Sequence, residues 1–465
     1  MPNFPQPVHE HAAENLAAFA HGLSPGAIPE VVRRRVALHT LDTLGCALAS
    51  VDADWAAAVL DPVLRWGGAG GASVVGTAQR VAAPMAALAN GALAHGHDFD
   101  DTHAPSITHA SAVVLPAVLA LAEEEGLDGR SAIAAAVAGY EVIARLGMAA
   151  PGQFHARGWH ATPACGTFAA AVAAGRCLGL GRVALTSALG IAASCASGLL
   201  EFLEDGSSVK RLHPGWTARS GVLAAAFAKG GFTGPASGIE GRFGFFRAAL
   251  GEAPDLTAAL ATLGTRWETL EVAVKPYPCC HYNHAYLDAA LRLRAEHALT
   301  PDAIAEVECV VPAGEIPIVC EPAAVKRAPR TDYDAKFSLP FTVAAALLEG
   351  RVGVSTFDAE RRGDPALLAL AARVRYTVDP DSPFPRSFPG RVRVRLVDGR
   401  MVEAHEPENR GGPGQPLSES EVVEKFRDNA GRTLPGFQVR EIEKAALDLE
   451  DLDDVGALMT LCRRG

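Results

Sequence analysis

The sequence predicts a mainly α-helical protein with a smaller α+β second domain, and three observations predict it. Segments rich in Ala, Leu, Val and Gly at 82–95, 108–125, 129–149, 163–179, 182–203 and 216–229 follow one another with few strand-like stretches between them, which points to helix packed on helix. After Trp267 the character changes: 305–311, 374–378 and 391–396 have the alternation or β-branching of strands, and Asp398-Gly399 supplies a hairpin turn before 401–405. Beyond the loop 409–416 the chain returns to helix. At 465 residues it exceeds what one hydrophobic core usually serves. The division expected is helical over 1–267 and again over 409–465, with α+β structure over 268–408.

Taken in order, Asn15–Ala20 and Pro29–Ala49 carry apolar residues at helical spacing, the second entered by Ser24 and Pro25. The opening MPNFPQPVHEHAAENLAAF lacks a basic segment followed by an apolar core, so no secretory signal and a cytoplasmic location are expected. The glycine-rich 67–76 lacks the GK[ST] ending of a phosphate loop and reads as a surface loop. Val183 to Leu203 is the most apolar stretch, but it is full of small residues and is followed by Glu204 and Asp205, so a buried helix is expected rather than a membrane span. In the second domain 284–297 and 339–348 read as helices. Ser418 and Glu421 form a capping-box signature that opens a helix to about Asn429, and helix continues through Cys462.

Hydrophobic residues make up 49% and charged residues 20%, the composition of a globular chain. The net charge of −11 argues against nucleic acid or an anionic membrane as a partner while permitting a local basic pocket for a small acid. Nine cysteines, scattered apart from Cys279-Cys280, show no zinc or iron–sulfur spacing and read as reduced thiols.

Chemistry concentrates in four places. Asn90 to His109 delivers four histidines, three aspartates and two threonines in a row that begins as buried helix. Ionised carboxylates are costly to bury unpaired, so the cluster belongs in a polar cleft, on a metal or in water. His95-x-His97-Asp98 offers metal ligands, yet its flanks are helical, whereas alternate ligands suit a strand. A structural reading has the aspartates cap helices and the histidines satisfy buried carbonyls, and an acid/base site is the reading favoured over both. If the helix continued through Asp98, then Asp98 and Thr102 would share a face. His160 precedes a small-residue helix, as either a packed neighbour or a catalyst. Lys210, Arg211 and His213 lie between apolar helices, where over a cleft they would hold carboxylates. Lys275 to His284 is a proline-stiffened elbow at the domain junction, a favoured place for ligands; nothing local marks Cys279 or Cys280 as activated.

Together these stretches resemble the MmgE/PrpD family, which includes 2-methylcitrate dehydratase, cis-aconitate decarboxylase and iminodisuccinate epimerase. The resemblance runs over nearly the whole chain, through NGALAHGHDFDDTH, GWHATPACGTFAAAVAAGRCLGL, VKRLHPGWTARSGVLAAAFAKGGFTGP, KPYPCCHYNHAYLDAA and DAKFSLPFTVAAALLEG. It implies a helical domain built from the N-terminal half plus the C-terminal tail, an α+β lid, a homodimer, a small polycarboxylate substrate, and chemistry without metal or other cofactor. Carried over by residue, the catalytic set is Asp98, Thr102, His109, His160 and Lys210, with Arg211, Lys275, His103 and His284 binding substrate; the choice of His109 over His103 follows irregular spacing. Ile318 to Pro322 stands where cis-aconitate decarboxylase has a lid tyrosine, and none is present. Acid/base dehydration of a 2-hydroxy di- or tricarboxylate such as 2-methylcitrate is the activity expected. Epimerisation of an imino or hydroxy dicarboxylate through the same carbanion, and decarboxylation, are the alternatives.

Overall fold

A computed structural model describes residues 11–384 and 387–464. The first ten residues, half of the stretch read for a signal, lie outside them. The protein is mainly helical, with a smaller α+β part toward the C-terminus.

Small residues set the helical packing. The helix Val209–Lys229 crosses Ala83–His95 where Gly215 meets Gly91. A Cβ on Gly215 would stand 2.0 Å from the Leu88 carbonyl oxygen, and one on Gly91 2.7 Å from the Gly215 Cα. On another face the same helix meets Ala161–Cys177, where a Cβ on Gly221 would stand 2.3 Å from that of Ala170. These contacts lie inside one hydrophobic core that runs from Ala12 to Val272 and takes in Val423 to Cys462. The tail joins it through Glu419–Ala430, whose Phe426 packs at Gly45 of the helix Glu30–Ser50, with Ser418 as the capping residue.

A second core gathers Tyr277 to Ala404, plus Phe202 from the helical part. Its sheet runs in the order Val374–Asp379, Ile304–Pro312, Gly390–Leu396, Met401–Glu406; the first pair is parallel and the others antiparallel. The helices His284–His297 and Leu339–Glu349 accompany it. Among the described residues one helix, Gly129–Met148, is long and apolar enough to cross a membrane, and 89% of its apolar window is buried inside the protein.

Three local expectations are corrected. The helix Ala83–His95 ends three residues before Asp98, which adopts a left-handed backbone (φ 54°), a conformation Asp tolerates better than most residues; Asp98 and Thr102 therefore share no helix face. The apolar 182–203 is not one helix: Arg182–Ala193 stops, and Gly198 at φ 103° turns the chain so that its carbonyl accepts the His160 N–H at 3.0 Å. Lys210 and Arg211 sit in the first turn of Val209–Lys229 rather than in a loop; polar residues facing a site interrupt the apolar period without ending the helix.

Candidate active site

Four backbone devices converge on one cavity. The left-handed turn aims Asp98 inward. Thr102 pairs with Ala273 in a two-stranded ladder, which brings Lys275, two residues further on, beside Asp98. The turn at Gly198 pins His160 at the start of Ala161–Cys177, and Thr162 in the first turn of that helix accepts the His109 N–H at 3.0 Å. The Gly91–Gly215 approach delivers Lys210. Asp98, Thr102, His109, His160, Lys210 and Lys275 thereby line a single cavity of ≈ 70 Å³.

Its centre is Asp98. Lys210 Nζ lies 2.8 Å from Oδ1 and Lys275 Nζ 3.2 Å from the same oxygen, with Lys275 also donating to the Asp98 carbonyl at 3.0 Å. Burial alone would raise the carboxyl's pKa; the two ammonium groups outweigh it and hold the group well below the usual carboxylate range. Oδ2 is buried with no protein hydrogen bond among the described residues, an acceptor left unsatisfied beside the two lysines.

The histidines flank this triad. His109 Nδ1 donates to the Asp101 carbonyl at 2.7 Å, with Thr102 Oγ1 at 3.4 Å. A carbonyl can only accept, so Nδ1 carries the proton and Nε2 keeps its lone pair. Burial, then the nearby lysines, hold His109 well below its ordinary pKa despite Asp100, so the ring is neutral at pH 7. His160 lies 6.0 Å away, centroid to centroid, with its Nδ1 3.0 Å from Nδ1 of His213; burial and then His213 likewise depress its pKa. Behind them Asp100 accepts from His95 Nδ1 at 2.8 Å.

Three side chains expected to bind substrate do not line this cavity. His103 is fully buried, its ring nitrogens engaged by Ser106 at 2.8 Å and Glu268 at 3.2 Å. His284 bonds the Cys279 carbonyl at 3.2 Å, and it is the neighbouring His281 that reaches the lining. Arg211 turns the other way, onto Asp332 and the Gly96 carbonyl, its guanidinium 4.4 Å above the Tyr333 ring. His155, His281 and an apolar wall were missed by sequence reasoning; a histidine in a helical or proline-rich run carries no local mark of facing a cavity. Cys280 also lines it, but burial pushes its thiol up to about 12, which leaves it protonated and a poor nucleophile.

A metal was one reading of the first cluster. His97 bonds the Ala49 carbonyl at 3.2 Å and lines a separate cleft of ≈ 540 Å³, so His95-x-His97 does not converge. His95, Asp98, Asp100 and His109 do present ligand atoms within 4.8 Å of one another. Two ammonium groups on Asp98 are poor company for a divalent cation, so the donor set suits an ion-paired carboxylate better than a metal.

Residues 14–256 match the MmgE/PrpD N-terminal domain and residues 277–451 the MmgE/PrpD C-terminal domain. Cis-aconitate decarboxylase of Aspergillus terreus is 28% identical across 95% of this chain and 94% of its own. The Homo sapiens protein of the same name is 29% identical across 97% and 94%. The 2-methylcitrate dehydratase of Cupriavidus necator is 27% identical over 38% of each chain.

Proposed function

Because the chain belongs to the MmgE/PrpD family, we propose that it is a cofactor-independent lyase that dehydrates a 2-hydroxy di- or tricarboxylate such as 2-methylcitrate. The observation that carries this reading is the pair of neutral histidines, His109 and His160, set 6.0 Å apart beside the Lys210–Asp98–Lys275 triad. His109 Nε2 takes the proton from the carbon next to a substrate carboxylate. The electron pair left behind builds charge on that carboxylate, where Lys210 and Lys275 stabilise it without reorganising. That proton then passes from the His109 imidazolium to the departing hydroxyl, which His160 hydrogen-bonds, and the hydroxyl leaves as water as the double bond forms. Asp98 Oδ2 and Thr102 receive the substrate hydroxyl.

Two other outcomes share the first step. Return of a proton to the opposite face would give epimerisation. Loss of carbon dioxide is favoured by the names of the relatives matched over nearly their whole length, and opposed by the missing lid tyrosine. A homodimer is part of the proposal, supported by the exposed row Trp216, Phe227 and Phe232.

The test is incubation of chelator-treated protein in D₂O with 2-methylcitrate, citrate, cis-aconitate and iminodisuccinate, followed by proton NMR. For 2-methylcitrate the expected change is collapse of the methyl doublet to the singlet of a methyl on a fully substituted double bond, and for citrate a new vinylic proton. Carbon dioxide release or bare deuterium exchange would replace dehydration by one of the other two reactions. Stoichiometric zinc, manganese or iron surviving in active protein would sink the cofactor-free mechanism.

A further inference from the structure

The lining of the site narrows the substrate beyond the reaction itself. Around the acid/base groups most of the lining is apolar: Ile107, Leu200, Leu203 and Ile318, with the rings of Phe202, Phe337 and Phe388 and the phenol of Tyr282. The ionised side chains on the lining are Lys210, Lys275 and Asp98, and Asp98 already faces both ammonium groups, so the net charge is a single positive one. Arg211 is committed to Asp332 outside the cavity. The lining histidines add nothing at pH 7, because burial above all holds His109, His155, His160 and His281 below their ordinary value.

We propose that, among the di- and tricarboxylates the proposed function admits, the site binds a hydroxydicarboxylate bearing a short branched alkyl substituent in preference to a tricarboxylate. The proposal rests on the dehydration reading for the hydroxyl and on the cavity wall for the rest. Both ammonium groups converge on one Asp98 oxygen, at 2.8 and 3.2 Å, so the substrate carboxylates share a single net positive charge. A third carboxylate would be desolvated against hydrocarbon with no cation opposite it, a penalty that the geometry does nothing to offset. An alkyl group in the same place gains about fourfold in affinity for each methylene buried.

The experiment is calorimetric titration of the full chain with three inert analogues, isobutylsuccinate, succinate and tricarballylate. All three lack the leaving hydroxyl, so binding is read whether or not any substrate has turned over. Isobutylsuccinate is expected to bind at least tenfold tighter than either of the others. Tricarballylate binding as tightly, isobutylsuccinate gaining nothing over succinate, or none of the three binding would each overturn the inference. The preference intact with no reaction of a 3-alkylmalate, which restores the hydroxyl to the preferred analogue, would instead overturn the proposed reaction. Leu203→Arg, with folding checked by circular dichroism, places a cation on the wall and should shift the ratio toward tricarballylate at least tenfold. A folded variant with an unchanged ratio refutes the wall.

Discussion

Asp98→Asn is the most informative single change, because one carboxylate holds two lysines. In the native protein Asp98 is 1% exposed, Lys275 0% and Lys210 4%, and one oxygen, Oδ1, lies 2.8 Å from Lys210 Nζ and 3.2 Å from Lys275 Nζ. Asparagine keeps the size and removes the charge, leaving two buried ammonium groups facing each other. Breaking a buried pair by deleting one partner costs about 3–5 kcal/mol. With an unfolding entropy near 2.1 cal/mol/K per residue, a cooperative unit of this chain's length would melt roughly 3–5 °C lower. Scanning calorimetry reads that shift. Adding Lys275→Met to Asp98→Asn removes one stranded cation and should recover part of the loss, a positive coupling of about 1 kcal/mol or more. Turnover should stay at least about 100-fold down in both variants, because the preorganised anion site is gone. An Asp98→Asn protein that melts within a degree of wild type, or a double variant less stable than the single one, would refute the view that the triad is an ion-paired unit. The acid limb follows from the same pairing. Asp98 sits below its ordinary value of 3.8, so its contribution is complete above that pH and is lost as the pH falls below it.

The two histidines should separate by isotope exchange: His109→Ala is expected to abolish deuterium uptake next to the substrate carboxylate, whereas His160→Ala keeps exchange and loses water elimination about 100-fold or more. Full turnover in either folded variant would dismiss that residue from the reaction. His213 is held, by burial and then by His95, at about 4 against an ordinary 6.5. The unfolded chain therefore binds more protons between those values, and the His213 contribution is full above pH 6.5 and declines as pH falls toward about 4. His213→Phe should flatten that part of a urea-denaturation profile; an unchanged slope would remove His213 as its source. Gly215→Ala drives a methyl to 2.0 Å from the Leu88 carbonyl oxygen, and should destabilise by about 1–3 kcal/mol while weakening catalysis through the displaced Lys210. Wild-type behaviour there would mean that the crossing is not set by glycine.

Much of this molecule is legible in its sequence because apolar period is a local signal. The small-residue runs announce the helices, and strand-like alternation at 305–311 and 391–396 falls inside Ile304–Pro312 and Gly390–Leu396. Ser418 with Glu421 marks a helix start that the structure places at Glu419. The concentration of His and Asp at 95–109 signals a polar site for the same local reason, since a core helix does not spend residues that way.

Tertiary structure alone decided which of those polar residues meet. His103 and His109 are indistinguishable by composition, and the ladder that pairs Thr102 with Ala273 leaves one on Glu268 and the other on the cavity. Lys210 and Arg211 part company because neighbours in a chain point to different sides of a packed element, whereas His281 and His284 keep their rings 4.8 Å apart and differ in that His284 bonds the Cys279 carbonyl behind the lining. The tautomer of His109 depends on a carbonyl eight residues away, the anchoring of the turn at Gly198 on an N–H donated by His160, and the charge of the cavity on an ion triad spanning Asp98 to Lys275. Such contacts join residues far apart in the chain. Their energies exist only once the backbone has closed, and no local pattern records them.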